Sequence, residues 1–475
     1  MNRLLVTGMA MVLASASASA ADMAAQAPIT KAAAAVAYDW TGIYAGGYWG
    51  TSLGQSSATT PGGFADAADI SKAGWTAGGT LGANWQASRN WLVGLEGDLG
   101  YLANDRRFDQ WNDTPVTVGV KTGGYATARA RFGYVTGPSL LYLTGGAAFV
   151  QVEDTFGGCK NGFCGGAVIS PVAVTNTKIG WTAGGGIESK ISQNWSRKTE
   201  YLYIDAGTTN FVGNPYGGPQ NASFRNHFHV IKSGLNYKFG GPAEPIPFFG
   251  GQMQPTDHNW AGFYAGVNAG GGISRGAASG VLPIRGEHDF KGAGAAAGIQ
   301  AGYNFMSLFG RQNWFAGVEG DIGYLGVRAS GIDWNDNFNF SQKTSWYGTA
   351  RGRVGTTSGP SLFYVTGGAA FVQVRNGLEI NSLAAAPVGT VVTNDVRSET
   401  KAGWTFGGGT EVALDARWSA RLEYLYIDAG KSRRTFTALI PAAPLATIES
   451  DYNNRFHVIR AGLNYSFSAP VVAKY

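Results

Sequence analysis

The chain is written twice. Leu141–Val152, LYLTGGAAFVQV, returns as Phe363–Val374, FYVTGGAAFVQV. Gly94–Leu102, GLEGDLGYL, returns as Gly317–Leu325, GVEGDIGYL, and Glu200–Gly207, EYLYIDAG, returns unchanged as Glu423–Gly430. A unit of about 200 residues is far longer than the period of a solenoid repeat, so each copy should fold as a domain in its own right. The duplication is also a filter. A residue essential to a shared function should have a counterpart in the other copy.

Composition narrows the fold. Glycine supplies 72 of the 475 residues without a Gly-X-Y period, while charged residues make up 14% and aromatics 13%. Such a balance is poor in helix formers and rich in residues that sit at membrane interfaces. Arg3, the apolar run Leu4–Leu13 and the small residues Ala18-Ser19-Ala20 predict a cleaved export signal over residues 1–21, followed by an Ala-rich spacer over 22–37. No later segment supplies the roughly 18 uninterrupted apolar residues that a spanning helix needs. The net charge of +5 comes without a Lys/Arg run, which gives no support for nucleic-acid binding. Cys159 and Cys164 share one glycine-rich stretch, which in an exported chain predicts a small disulfide-closed loop rather than a thiol or metal site. The second copy has no such pair, so the loop is local reinforcement.

Each copy divides into eight alternating segments, in the first copy near 41–51, 72–86, 90–103, 119–135, 139–153, 176–191, 195–207 and 226–239. Long connections near 52–71, 104–118, 154–175 and 208–225 alternate with short ones at Ala87–Arg89, Thr136–Pro138 and Ser192–Asn194. An even strand number, with short turns on one side and long loops on the other, is the signature of an outer-membrane β-barrel. Period-two patterning agrees. Trp91, Val93, Leu95 and Leu99 share one face of their strand, opposite Glu96 and Asp98; Ile179, Trp181, Ala183 and Ile187 oppose Lys178, Thr182 and Glu188. A charge facing hydrocarbon costs about 2–4 kcal/mol near the bilayer midplane, so the apolar set is predicted to face lipid and the charged set the lumen. Trp40, Trp91 and Trp195 fall at strand ends, as an interfacial belt requires.

Both copies end alike: Gly234, Tyr237 and Phe239 follow Lys232 at the spacing with which Gly462, Tyr465 and Phe467 follow Arg460. The pattern resembles the closing-strand signal of bacterial outer-membrane proteins, which implies the barrel-assembly machinery as a partner during biogenesis. Together with the openings Trp40-Thr41-Gly42-Ile43-Tyr44 and Trp260-Ala261-Gly262-Phe263-Tyr264, the EGDxGY stretch and the Tyr-rich EYLYIDAG, the chain resembles the eight-stranded outer-membrane immunogenic protein family of alpha-proteobacteria. Members usually carry one such unit. The resemblance implies an integral outer-membrane protein in contact with lipid and lipopolysaccharide, with no cofactor and with homo-oligomers among its possible states. The predicted fold is all-β: two tandem eight-stranded antiparallel transmembrane barrels over 38–239 and 260–467, joined by a Pro/Gly-rich periplasmic linker over 240–259 and trailed by 468–475. One fused sixteen-stranded barrel is the alternative. It matters because about eight strands enclose an interior filled by side chains, whereas about sixteen leave a water channel.

Filtering by duplication leaves Glu96, Asp98, Arg129, Arg131, Glu188, Glu200 and Lys232, matched by Glu319, Asp321, Arg351, Arg353, Glu411, Glu423 and Arg460. Opposite charges confined in a narrow lumen must pair, so these residues are expected to form a salt-bridge core that fixes strand register; a gate whose pairs exchange is the sharper alternative. Paired carboxylates also suit acid–base catalysis, but no duplicated nucleophile accompanies them, and an enzyme is not expected. His229 and His457 match between copies, as a belt position or as a haem ligand at the rim. Trp111-Asn112-Asp113 returns as Trp334-Asn335-Asp336, for which an Asx turn is the simpler explanation than a cation site. Gly145-Gly146 and Gly184-Gly185-Gly186 lie inside strands, where they should relieve crowding. The expected role is structural, in the envelope and at its surface. A porin is the first rival and a loop-borne receptor for haem or a host molecule the second.

Overall fold

The computed structural model describes residues 38–60, 68–108, 116–159, 168–215, 217–241, 258–281, 287–332, 338–380, 391–393, 395–439 and 446–468. The predicted signal and spacer, most of the linker, Cys164 and both Trp-Asn-Asp motifs lie outside them.

The first copy forms β1 (Gly42–Thr59), β2 (Ala68–Gln86), β3 (Trp91–Leu102), β4 (Asp105–Phe108), β5 (Thr117–Thr136), β6 (Ser139–Gly158), β7 (Val172–Lys190), β8 (Trp195–Pro215) and β9 (Gln220–Lys238). The second forms β10 (Gly262–Val281), β11 (Glu287–Met306), β12 (Trp314–Leu325), β13 (Arg328–Ile332), β14 (Phe338–Ser358), β15 (Ser361–Ile380), β16 (Val391–Thr393), β17 (Asp395–Ala413), β18 (Trp418–Leu439) and β19 (Ala446–Ser466). The short β4 and β13 continue β3 and β12 along β5 and β14, so each ring has eight strand positions. β9 pairs with β1 from Tyr44↔Lys238 to Thr59↔Ser223, and β19 pairs with β10. Each copy therefore closes on itself. The fused sixteen-stranded alternative is overturned, because the edge it needs on β9 is already hydrogen-bonded to β1.

Strands run further than the segments read from the sequence, almost all of the added length lying at the long-loop end. The expected connection over 208–225 is mostly sheet: β8 reaches Pro215 and β9 starts at Gln220, with Phe211 stacked on Phe224 at 5.5 Å between ring centroids. Their pairing skips one step between Asp205 and Thr208, a bulge that obscured the alternation.

Outward side chains are largely apolar and exposed, with Trp49, Leu99 and Ile179 each more than 70% accessible. The lumen is not uniformly charged, and here the sequence expectation needs correction. Toward the long-loop side, Val118, Val120, Val150, Val152, Leu202, Ile204, Phe224 and Phe228 fill the first barrel, and Val372, Val374, Leu425, Ile427 and Phe456 the second. Toward the short turns, Trp40 packs with Leu92, Val135, Leu140 and Tyr142, and Trp260 with Phe315, Leu362 and Tyr364. Trp40 thus leaves the expected belt. It is 3% exposed and closes the lumen from below. Apolar residues on inward positions are stable here because an eight-stranded interior is narrow enough for side chains to exclude water.

The barrels also meet side by side near their short turns. Ile187, Thr199, Thr410, Val412 and Ala420 hold outward positions next to lumen residues in sequence, yet all five are buried. The Thr199 and Thr410 hydroxyls lie 2.8 Å apart, Thr136 donates to the Leu414 carbonyl at 3.1 Å, and the Arg197 guanidinium sits 4.1 Å above the Phe363 ring. The copies differ at these positions: Arg197 and Thr199 align with Ala420 and Leu422, and Ile187 with Thr410. Polar groups that lipid disfavours are placed where the other barrel covers them. A T199C/T410C chain, made without Cys159 and Cys164, is expected to form an intrachain disulfide in membranes under mild oxidation, read as a mobility shift; two barrels that diffuse apart would stay uncrosslinked.

Candidate functional site

The charged layer sits midway along each lumen, on β3, β5, β7, β8 and β9 in the first barrel and on β12, β14, β17, β18 and β19 in the second. Strand pairing places Glu96 directly opposite Arg129 and Glu200 opposite Lys232, and places Glu319 opposite Arg351 and Glu423 opposite Arg460. Small residues make room. A side-chain carbon on Gly146 would lie 2.1 Å from the Ala128 carbonyl oxygen and 2.8 Å from the Arg129 Cα, and one on Gly368 would meet Ala350 and Arg351 in the same way. Glycine is required wherever the Arg129 backbone is approached this closely.

Arg129 is the hub of the first lumen. Its guanidinium reaches Glu96 at 2.6 Å, Asp98 at 2.7 Å and Glu200 at 2.8 Å. Lys232 bridges Asp98 and Glu200 at 2.5 and 3.1 Å. Arg131 joins Glu96 to Glu188 at 3.2 and 2.7 Å, and Glu188 also accepts from Ser196 and Asn236. The Tyr44 and Tyr142 hydroxyls donate to Glu96 and Glu200 at 2.6 and 3.0 Å.

The second lumen repeats the plan. Arg351 contacts Glu319, Asp321 at 2.7 Å and Glu423 at 3.1 Å. Arg460 holds Glu423 and Asp321 at 2.6 and 2.9 Å, and Arg353 holds Glu411 at 2.7 Å. Tyr264 and Tyr364 take the places of Tyr44 and Tyr142.

All fourteen charged residues singled out from the sequence lie in these two networks. Two more belong with them. Lys198 meets Glu96 at 2.8 Å, and its counterpart Arg421 meets Glu319 at 2.7 Å and also contacts Glu423. Their signal was in the sequence: each stands two residues before an inward glutamate, on the same face of β8 or β18. With them, four acids face four cations in each charged layer, and among the described residues the first lumen also buries Lys178 against Asp154 at 2.8 Å, nearer the long loops.

The oxygens of Glu96, Asp98 and Glu200 converge closely enough to hold a metal ion. The Arg129 guanidinium already binds all three, so a fixed organic cation holds the place a metal would take. Each carboxylate is held by more than one donor, an arrangement suited to locking register.

The remaining sequence candidates lie elsewhere. Cys159 is disulfide-bonded, and Cys164, the chain's other cysteine, is outside the described residues. Gly234 and Gly462 sit where a side-chain carbon would strike the Gly47 and Val267 carbonyls. Tyr237 and Phe239 join Trp195 in an aromatic row at 5.0 and 5.5 Å, as Tyr465 and Phe467 join Trp418 at 5.2 and 5.3 Å. His229 and His457 lie on the outer face, their Nδ1 atoms hydrogen-bonded to Tyr201 and Tyr424 at 2.9 and 2.8 Å.

The family model described as outer membrane protein beta-barrel domain matches twice, over residues 10–239 and 247–467. The 31 kDa outer-membrane immunogenic protein of Brucella melitensis is 33% identical over 226 residues, 45% of this chain and 86% of that protein. The 25 kDa outer-membrane immunogenic protein of Brucella canis is 30% identical over 240 residues, 50% of this chain and 97% of that protein. Each aligns with about one copy's length. The outer membrane protein OprG of Pseudomonas aeruginosa, at 12% identity, 44% of this chain and 98% of its own, gives a TM-score of 0.28, too low to add to the assignment.

Replacing Arg129 by Met is expected to destabilise the chain by about 3–5 kcal/mol, because three buried carboxylates lose their shared partner. Arg433→Met, which removes exposed pairs with Glu449 and Asp451, should leave stability nearly unchanged. Denaturant unfolding in detergent measures both; equal effects would contradict the network's role.

Proposed function

The chain belongs to the outer membrane protein β-barrel family and is an outer-membrane protein with two such barrels, and from that premise we propose that it serves the cell envelope structurally, as a pair of sealed anchors carrying surface connections. The observation that carries this is the filled lumen. In each barrel a tryptophan-capped apolar layer, a neutral charged layer and a mainly apolar layer, which also buries Lys178 against Asp154 in the first barrel and Arg434 in the second, follow one another along the axis. A solute crossing such a barrel would have to separate several buried ion pairs and displace both apolar layers, and breaking even one buried pair costs about 3–5 kcal/mol. The role is non-catalytic: Glu96 and Asp98, the carboxylates best placed for acid–base work, are held by Arg129, Arg131, Lys198 and Lys232. The Brucella relatives are named immunogenic proteins, which fits a molecule seen at the cell surface.

Planar-bilayer recording of the purified chain tests the proposal. No stable conductance step above that of the bilayer is expected. Large, reproducible steps would favour the porin and sink the sealed-anchor function.

A further inference from the structure

The two barrels carry different charges at one matched level of their outer walls. In the second barrel, strand pairing sets Arg328 opposite Lys343 and Lys343 opposite Arg375, so three cations stand in one cross-strand row. All three are exposed, while their neighbours Gln342, Val374 and Asn376 are fully buried; the row therefore faces outward. The matched row in the first barrel is Asp105, Lys121 and Glu153, where signs alternate. Like charges directly opposite one another destabilise a sheet, whereas alternating ones support it. The first barrel satisfies the rule internally. The second breaks it.

The level of the row says what can offset the repulsion. On the same wall Tyr324, Trp346, Phe371 and Trp404 are exposed aromatics, with Tyr324 and Trp346 paired across strands. Phe371 lies four residues before Arg375 on the same face, roughly 13 Å along the strand. Aromatics of this kind mark the membrane–water interface. The cations lie beyond them on the long-loop, extracellular side, at the height of outer-leaflet headgroups. They line a recess of 380 Å³ together with Ser330, Ser341 and Glu379. Three cations against one carboxylate leave the recess positive.

We propose that Arg328, Lys343 and Arg375 form a binding site for the phosphate groups of an outer-leaflet glycolipid, the headgroup chemistry of lipid A, and that the second barrel alone carries it. The guanidiniums supply forked donors suited to phosphate oxygens and the lysine a mobile point charge. The acyl chains lie along the apolar wall below. Bound phosphate turns three mutually repelling charges into three ligands of one anion.

The two copies provide variants already compatible with the fold. R328D/R375E gives the second barrel the sign pattern of the first, and D105R/E153R gives the first barrel that of the second. The full-length chain in detergent is titrated with bisphosphorylated lipid A, with its dephosphorylated form and with inorganic phosphate, and bound lipid is counted by native mass spectrometry. Heat-modifiable gel mobility checks that each variant is folded. Wild type is expected to bind bisphosphorylated lipid A at least about tenfold more tightly than the dephosphorylated form. R328D/R375E should lose that preference, and D105R/E153R should gain a second bound lipid. Unchanged binding by folded R328D/R375E, or equal affinity for dephosphorylated lipid A, would overturn the site. Inorganic phosphate binding as tightly as the lipid would overturn the glycolipid assignment.

Discussion

Neutrality inside a narrow tube is the constraint on which the rest of the structure depends. Eight strands leave room for side chains and little else, so a charge placed in the lumen must find its partner within the same layer. Arg129 and Arg351 meet the constraint by binding three carboxylates each. Because Glu96–Arg129 and Glu200–Lys232 are also directly paired across neighbouring strands, the network specifies register as well as charge. A slip of one residue in any of these strands would turn its charged groups toward lipid. The apolar layers above and below add burial, and the charged layer supplies the single solution.

The outer surface follows a different logic in each copy. Lipid tolerates apolar side chains anywhere on the wall, so the two barrels were free to diverge there. They diverge in two places that polar groups mark: the seam, where Thr199 meets Thr410, and the extracellular row, where Arg328, Lys343 and Arg375 replace a balanced set. Duplication preserves the charged layer of the lumen and specialises the wall. Such a division is expected when one surface is constrained by closed pairing and the other by a fluid solvent.

Much of this was legible in the residues. Period-two alternation, the rhythm of long and short connections and the repeated closing strand pointed to closed barrels, and the duplication picked out fourteen lumen charges. What stayed hidden has physical causes. A bulge after Asp205 broke the alternation, so the sheet over 208–225 looked like loop. Inward Val150, Val152, Leu202 and Ile204 could not be told from lipid-facing residues, because hydropathy does not separate two apolar surroundings. Trp40 stood at a strand end in sequence but folds under the lumen, where its indole donates to the Gly137 carbonyl at 3.5 Å. Lys198 escaped because Arg197 beside it carries the same charge on the opposite face, so alternation did not mark which of the two turns inward, and its counterpart Arg421 was passed over with it.

Water access to the lumen bears most directly on the account. Ala148 is fully buried in the apolar layer of the first barrel. An A148C chain lacking the two native cysteines, folded in membranes, should resist a small charged thiol reagent for hours and react at once when denatured. Rapid labelling of the folded chain would mean that water reaches the layer, and the sealed, neutral lumen described above would be wrong.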